Sequence, residues 1–141
     1  MKVLFIGGTG VISSSCSQLC AEKGYELFLL NRGSSFRAAP GKATVLHADI
    51  RNVDAVKAAL SNHKFDVVVD WVAYNREHVR NDFDLFRDRT DQYIFIGSAS
   101  AYQKPVRKLP ITEKTPLENP FWNYSRAKID CENYLTKVYR E

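Results

Sequence analysis

The sequence predicts an α/β fold in which helices are wound on both sides of a doubly wound parallel sheet of about five strands. Three observations predict it. Short apolar runs without alternation recur along the chain, as in strands buried on both faces. Stretches with apolar residues at helical spacing separate these runs. A glycine-rich turn closes the first run. Strands that alternate with helices imply parallel pairing through right-handed crossovers.

The first half of the chain contains three predicted strands and two predicted helices. The strands are the apolar runs at residues 2–6, 25–30 and 44–47. The turn Gly7-Gly8-Thr9-Gly10 ends the first strand, and the helix after it has an apolar face made of Ile12, Cys16, Leu19 and Cys20. Gly24 suits the left-handed cap that ends this helix. Asn52 is a suitable N-cap for a second helix over residues 53–60.

The second half contains two further strands and two further helices. The strands are predicted at residues 65–70 and 93–96. Residues 75–89 are highly charged, but Val79, Phe83 and Phe86 recur there at helical spacing. Residues 102–120 contain four prolines and therefore predict a loop. The final helix is predicted from about Asn123 to the end of the chain.

The composition excludes several classes of protein. The chain has 141 residues, of which 45% are hydrophobic and 26% are charged, and this excludes disordered, collagen-like and coiled-coil proteins. No apolar run approaches the ~18 residues of a membrane helix, and the N-terminus lacks the cleavage site of a signal peptide. Three cysteines without metal-ligand clustering predict reduced core thiols in a cytoplasmic protein that has no metal site.

The charge indicates little about partners. The formal net charge is +4, from 20 basic and 16 acidic residues. The basic residues are scattered, apart from Lys104, Arg107 and Lys108 in one loop. A nucleic-acid-binding face usually has a tighter basic cluster, so the charge disfavours nucleic acid and accommodates an anionic small ligand equally well.

The glycine turn is the strongest motif, because it lies between the first strand and the first helix. Backbone N–H groups at a helix N-terminus point at an anion, and the helix dipole favours negative charge there. Glycines at positions 7 and 10 allow a tight turn and the close approach of a pyrophosphate. The alternative is a turn that only closes the strand. The context favours phosphate binding.

The segment Gly7-Gly8-Thr9-Gly10-Val11-Ile12-Ser13 resembles the glycine motif of the extended short-chain dehydrogenase/reductase family, the NAD(P)-dependent epimerases and dehydratases of nucleotide sugars. The resemblance implies a Rossmann-type fold and cofactor contacts from the six residues Gly7, Gly8, Thr9, Gly10, Val11 and Ile12. Gly7 and Gly10 match the family pattern, whereas Ser13 stands where the third glycine falls. That glycine serves helix–strand packing, and serine is small enough to replace it.

The resemblance also implies which residues hold the rest of the cofactor. Dinucleotide folds usually place an acid at the end of the second strand, but this chain has Asn31 there, followed by Arg32. Asparagine does not repel a 2′-phosphate and Arg32 could pair with it, so the cofactor is NAD(P), leaning towards NADP. Alternatively, Arg32 is solvated or stacks on adenine. Asp49 and Ile50 match the segment that contacts adenine, the alternative being that Asp49 caps the next helix. Ala73 matches a small residue that lines the cofactor.

The predicted catalytic group combines a hydroxyl, a phenol and an amine. Tyr124 and Lys128 are four residues apart and share one helical face. Free tyrosine, with a pKa of ~10, is a poor base near neutral pH, and an adjacent ammonium favours its ionised form. The segment Ile96-Gly97-Ser98-Ala99-Ser100-Ala101-Tyr102 is similar to the family's serine-bearing segment. That similarity makes Ser98 the catalytic hydroxyl and Ser100 the second candidate.

The resemblance finally implies a larger enzyme. Family members join a dinucleotide domain to a smaller substrate domain in a chain roughly twice as long. We therefore expect residues 1–141 to be a cofactor-binding domain truncated at its C-terminal end, without its substrate domain and inactive alone. The implied partners are a nucleotide sugar and, as an open alternative, a second copy of the chain. Two other functions stay open: a non-catalytic dinucleotide-sensing or RNA-binding relative, and a reductase of a small carbonyl compound.

Overall fold

The computed structural model describes residues 1–140 and confirms the predicted α/β class. The chain divides into two compact units. The first consists of Met1–Val72 and Asp82–Ile96 and contains the whole sheet. The second consists of Ala73–Asn81 and the chain from Gly97 onward.

The sheet has five parallel strands in the order β3-β2-β1-β4-β5. Their bounds are β1 Lys2–Ile6, β2 Glu26–Asn31, β3 Thr44–His47, β4 Phe65–Asp70 and β5 Thr90–Phe95. All five predicted strands are therefore present. The last begins three residues earlier than predicted, because polar, largely exposed residues form its first half and give no apolar signal.

Four α-helices and one short 3-10 helix complete the described chain. Their bounds are α1 Ser13–Glu22, α2 Val53–Leu60, α3 Arg76–Phe86, α4 Asn123–Arg140 and the 3-10 helix Ala99–Ala101. Asn52 caps α2 as predicted, since its side chain accepts a hydrogen bond from the Ala55 N–H at 3.1 Å. Within residues 1–140, no helix is both long and apolar enough to cross a membrane.

Each face of the sheet has its own apolar core, which confirms the doubly wound arrangement. On one face Leu4 and Ile6 pack with residues of the neighbouring strands and with Val56 and Leu60 of α2. On the other face Val3 and Phe5 form a second cluster, against which the half-buried Cys16 of α1 packs. Strands covered on both faces explain the continuous apolar runs in the sequence.

The predicted apolar face of α1 is confirmed for Cys16 and Cys20, which pack against the second cluster, and is wrong for Ile12 and Leu19. Ile12 and Leu19 are 70% and 51% exposed, whereas the buried residues of the helix are Ser13, Ser17 and Ala21. Small residues let the helix approach the sheet closely, and the two serines bury hydroxyls that are hydrogen-bonded. Within residues 1–140 none of the three cysteines forms a disulfide bond; Cys131 is fully buried, whereas Cys16 and Cys20 are half-buried.

Candidate functional site

The glycine turn after β1 contains two glycines that the fold itself requires. Gly7 has a φ of +84°, and a methyl group there would lie 2.4 Å from Val72 Cγ1. A methyl group on Gly8 would lie 2.4 Å from Leu29 Cδ2. Both distances are far below van der Waals contact, so packing alone accounts for these two glycines.

Gly10 differs from the other two glycines of the turn. A methyl group there would meet only the Ser13 Oγ at 3.0 Å and the Gly7 carbonyl oxygen at 3.8 Å. Gly10 is also exposed, as are Val11 and Ile12 after it. Ser13 Oγ would have to give by a few tenths of an ångström, so packing demands glycine less strictly here than at Gly7 and Gly8.

Three serine hydroxyls hold the carbonyl groups of the turn. Ser13 Oγ donates to the Gly7 oxygen at 2.6 Å, Ser17 Oγ to the Gly8 oxygen at 2.7 Å, and Ser35 Oγ to the Thr9 oxygen at 3.0 Å. Ser13 Oγ also accepts the Gly10 N–H at 2.8 Å. The residue that departs from the family's third glycine thus fastens the turn from inside. Our sequence reasoning missed this role, although the spacing of Ser13 and Ser17 was a usable signal.

The N-terminus of α1 is open to an anion. Its N-cap residue, Ile12, makes no side-chain capping hydrogen bond, and its first turn has no acidic residue. The first N–H groups of a helix lack carbonyl partners within the helix, and the helix dipole places positive charge there. Val11 and Ile12, which lead into the helix, are 75% and 70% exposed, so this part of the turn is accessible. The turn therefore fits a pyrophosphate by its backbone chemistry.

The residues predicted to hold the adenosine half follow the next two strands at the same edge of the sheet. Asn31 ends β2, and exposed Arg32 donates from Nε to the Ser34 Oγ at 3.0 Å. Asp49 is exposed, and its Oδ1 accepts the Arg51 N–H at 2.9 Å. The alternative in which Asp49 caps α2 is wrong, because Asn52 fills that position. The Ile50 side chain is buried in the core, which leaves its backbone for any ligand contact.

A buried ionic cluster adjoins this segment, and sequence reasoning missed it. Arg51 Nη1 donates to both carboxyl oxygens of Asp82 at 2.9 Å, and its Nη2 donates to the Val72 oxygen at 3.2 Å. Tyr93 donates its hydroxyl to Asp70 Oδ2 at 2.6 Å. Asp70 and Asp82 are 0% and 1% exposed. Arg51 therefore ties the loop after β3 to α3 and to the end of β4.

Burial sets the protonation of this cluster. Burial and the neighbouring Asp70 raise the pKa of Asp82 to about 8, although the Arg51 guanidinium works in the opposite direction. Burial and Asp70 also raise the pKa of Tyr93 well above its usual range. Asp82 therefore holds a proton at neutral pH. A carboxyl in a helix as charged as α3 gives no sequence signal of burial.

The second unit contains the predicted catalytic phenol and amine. Lys128 is 2% exposed, and its Nζ donates to the Ala73 carbonyl oxygen at 2.8 Å. The same Nζ lies 5.8 Å from the centroid of the Tyr124 ring and 5.4 Å from that of Tyr74. Ala73 is fully buried, and its backbone positions the amine. The structure thus brings Tyr124 and Lys128 together on α4, with the positive charge beside the phenol.

A carboxyl group lies one turn beyond this amine. Burial raises the pKa of Glu132, while the Lys128 ammonium lowers it. A methyl group on Gly97 would lie 2.7 Å from Glu132 Oε1, so glycine at that position makes room for the carboxyl group. Glu132 was not among the predicted site residues.

The predicted catalytic hydroxyl belongs to a chain of polar side chains. Ser98 Oγ lies 2.8 Å from Ser100 Oγ and accepts the Ser100 N–H at 3.2 Å. Ser100 Oγ accepts the Ser125 hydroxyl at 2.9 Å, and Ser125 directly follows Tyr124 on α4. Asn119 donates to Ser125 Oγ at 3.3 Å. Ser98 is thereby joined to α4 through Ser100, and neither Ser125 nor Asn119 was predicted to contribute.

The order of the strands and the glycine turn together define the fold class of this protein. A parallel sheet in the order β3-β2-β1-β4-β5, with a glycine turn between β1 and α1, is a Rossmann-type fold. The chain belongs to the NAD dependent epimerase/dehydratase family, whose family model matches residues 3–141. Among residues 1–140, no group of three or more His, Cys, Asp or Glu side chains could hold a metal ion.

The relatives of this chain include epimerases and a stem-loop binding protein by name. A UDP-glucose 4-epimerase of Lactobacillus helveticus is 30% identical over 96% of this chain and 46% of its own length. The chloroplast stem-loop binding protein of 41 kDa b of Arabidopsis thaliana is 31% identical over 95% of this chain and 38% of its own length. The chain thus spans less than half the length of these relatives.

Solved structures share the fold. UDP-glucose 4-epimerase from Bifidobacterium longum, in complex with NAD+ and UDP, superposes with a TM-score of 0.83 at 21% identity, over 99% of this chain and 49% of that one. dTDP-glucose 4,6-dehydratase from Bacillus anthracis, in complex with NAD, superposes with a TM-score of 0.79 at 18% identity, over 99% and 51% of the two chains. At these identities the likeness establishes a common fold.

Proposed function

We propose that this chain binds NAD(P) and serves a nucleotide-sugar epimerase or dehydratase. The observation that carries the proposal is the glycine turn. Three serine hydroxyls donate hydrogen bonds to its carbonyl groups, and α1 begins without a side-chain cap. A methyl group on Gly10 would meet fewer atoms than one on Gly7 or Gly8. The pyrophosphate would bind at Gly10, Val11 and Ile12, and the adenosine at Asn31, Arg32 and Asp49.

In this proposal the second unit performs proton transfer. The bound nicotinamide cofactor supplies reversible hydride acceptance. Tyr124 removes the proton of a sugar hydroxyl, and the Lys128 Nζ lies 5.8 Å from the centroid of its ring. Ser98 donates a hydrogen bond to the same sugar oxygen and orients it. Lys128 itself is held by the buried carbonyl of Ala73, so its charge stays in place during the reaction.

The substrate and the extent of the catalytic domain are part of the proposal. The epimerases among the relatives support a UDP-sugar or a similar nucleotide sugar. Because those relatives are about twice as long, we assign residues 1–141 to the cofactor-binding domain and expect no turnover from these residues alone. Epimerisation by residues 1–141 would contradict this assignment. Cysteines that form no disulfide among residues 1–140, together with the family's chemistry, support a cytoplasmic location.

The choice of cofactor rests on Arg32. We expect NADP+ to bind the chain more tightly than NAD+, because an exposed guanidinium at the end of β2 pairs with the 2′-phosphate. Arg32→Ala should lower NADP+ affinity by about tenfold, the equivalent of a charged hydrogen bond, and leave NAD+ affinity unchanged. Isothermal titration calorimetry with NADP+ and NAD+ measures both affinities. The control variant is Arg87→Ala, which also removes an exposed arginine. Equal affinity of the wild-type chain for the two cofactors would remove the argument.

Tyr124 separates the proposed enzyme from an RNA-binding relative. Tyr124→Phe keeps the ring but removes the hydroxyl, and turnover of a UDP-sugar should fall by about 10²- to 10⁴-fold in the protein that carries this chain. Tyr139→Phe removes a 92% exposed hydroxyl from the same helix and should leave turnover unchanged. The Arabidopsis relative is a stem-loop binding protein by name, which supports RNA binding as the second candidate function. RNA binding by a protein without turnover would favour that candidate. Turnover only of small carbonyl compounds would indicate a reductase.

A further inference from the structure

The chain of side-chain hydrogen bonds that ends at Ser98 starts from two buried residues. Ser125 is 0% exposed and Asn119 is 7% exposed, and both lie in the second unit. Asn119 Oδ1 accepts the Phe121 N–H at 3.1 Å, while its Nδ2 donates to the Ser100 carbonyl oxygen at 2.7 Å and to Ser125 Oγ at 3.3 Å. A backbone donor on one side and a backbone acceptor on the other fix which end of the amide is nitrogen.

This orientation determines the direction of the next hydrogen bond. The amide nitrogen can only donate, so Ser125 Oγ accepts from it and gives its own hydrogen to Ser100 Oγ at 2.9 Å. Ser100 Oγ has then accepted one hydrogen bond and lies 2.8 Å from Ser98 Oγ, where the geometry lets either hydroxyl donate. A Ser100 hydroxyl that donates to Ser98 continues the same direction, because each hydroxyl then accepts from the preceding group and donates to the next.

At the end of the hydrogen-bond chain, the Ser100 N–H donates to Ser98 Oγ at 3.2 Å. A Ser100 hydroxyl that also donates to this oxygen occupies its second lone pair. A hydroxyl oxygen has two acceptor positions, so only the hydrogen of Ser98 remains for another molecule. We propose that Asn119 is a positioning residue that directs the hydrogen-bond chain Asn119–Ser125–Ser100–Ser98 and makes Ser98 a hydrogen-bond donor to the substrate.

The consequence for the reaction rests on the function proposed above. A sugar hydroxyl that meets Ser98 has to accept its hydrogen bond, because Ser98 has no lone pair left for the sugar's own hydrogen. That hydrogen is then free to point to the base, Tyr124. A ketone oxygen, which can only accept, is bound by the same donor without rearrangement. The same hydrogen bond from Ser98 can therefore bind both the alcohol and the ketone.

The direction can be measured in the 141-residue chain without substrate, by NMR on isotopically labelled protein. We expect the Ser125 hydroxyl proton, being fully buried, to exchange slowly and to show nuclear Overhauser contacts to the β protons of Ser100. Contacts of that proton to the turn of Phe121 instead would mean that Ser125 donates to its own helix, and they would overturn the proposal. This result is independent of whether the protein turns over a nucleotide sugar.

Asn119→Asp tests the cause of the direction. The substitution keeps the shape but replaces a donor by an acceptor, so at pH 8 the Ser125 hydroxyl should turn to the new carboxylate and its contacts to Ser100 should disappear. Asn123→Asp adds the same charge at an exposed site in the same unit and should leave those contacts intact. Unchanged contacts in Asn119→Asp would refute the role of Asn119. If this variant does not fold, the wild-type measurement and Ser100→Ala against Ser100→Thr decide instead: only threonine should preserve slow exchange at Ser125.

A kinetic readout distinguishes positioning from simple stability. In the protein that carries this chain, Asn119→Asp should lower kcat by about 10- to 100-fold with KM nearly unchanged, because Ser98 would no longer donate outward. Asn123→Asp should change neither constant. An unaltered kcat in Asn119→Asp, with active wild-type protein beside it, would contradict the proposal. Inactive wild-type protein would count against the proposed function only.

Discussion

Gly7→Ala is expected to destabilise the first unit by about 3 kcal/mol. Two costs combine at this position. The φ of +84° costs an L-residue roughly 1–2 kcal/mol, and a methyl group 2.4 Å from Val72 Cγ1 forces the end of β4 to move, which typically costs ~1–3 kcal/mol. Urea unfolding followed by circular dichroism measures the loss as a lower midpoint.

Gly10→Ala is the matched control for this prediction. Its methyl group meets only Ser13 Oγ at 3.0 Å, so the free energy of unfolding should change by less than ~1 kcal/mol. The same methyl group lies where the proposed pyrophosphate approaches, and cofactor affinity should therefore fall although the fold persists. The two variants should differ sharply in stability. Equal losses would show that Gly10 is also a packing requirement and would weaken the proposed phosphate site.

Arg51→Met is expected to cost about 3 kcal/mol at pH 8, because it leaves the buried Asp82 carboxyl without its cation. Arg51 is 31% exposed, which places the loss at the low end of the range for broken buried pairs. The loss should be smaller at pH 5, where Asp82 is protonated and has less need of a partner. Thermal unfolding at both pH values measures the difference.

The wild-type chain should itself lose stability as the pH rises. The pKa of Asp82 is about 8 in the fold against an ordinary 3.8, so the folded chain holds a proton that the unfolded chain releases. The resulting stabilisation is complete below pH 4 and is lost progressively up to about pH 8. Asp82→Asn should flatten this slope, and adding it to Arg51→Met should restore part of the stability. A slope unaltered in Asp82→Asn would locate the titrating proton elsewhere.

Local sequence was sufficient for the elements of this fold. Short apolar runs predicted β1 and β4 because parallel strands are buried on both faces, and Asn52 predicted the start of α2 because a cap acts within one turn. The glycine turn and the Tyr124–Lys128 spacing were visible for the same reason. Each depends on residues that are neighbours along the chain.

Contacts between distant residues could not be predicted in this way. The apolar face of α1 was wrong at Ile12 and Leu19, and the burial of Ser13 and Ser17 was missed because these serines donate to carbonyl groups of the glycine turn. The Asp82–Arg51 pair joins residues 31 positions apart, and no helical periodicity marks it. The sequence gives no signal of the hydrogen-bond chain Asn119–Ser125–Ser100 either, because serine and asparagine are common in loops.

The sequence by itself therefore determined the α/β class, the family motif and the residues that we propose as reactive groups. These follow from local patterns and from residue types. Only the tertiary structure decided what surrounds each group: which glycines are closely packed, which carboxyl keeps a proton, and which side chains form hydrogen bonds next to Ser98. Burial and hydrogen-bond direction are properties of groups brought together by folding, so no local pattern encodes them.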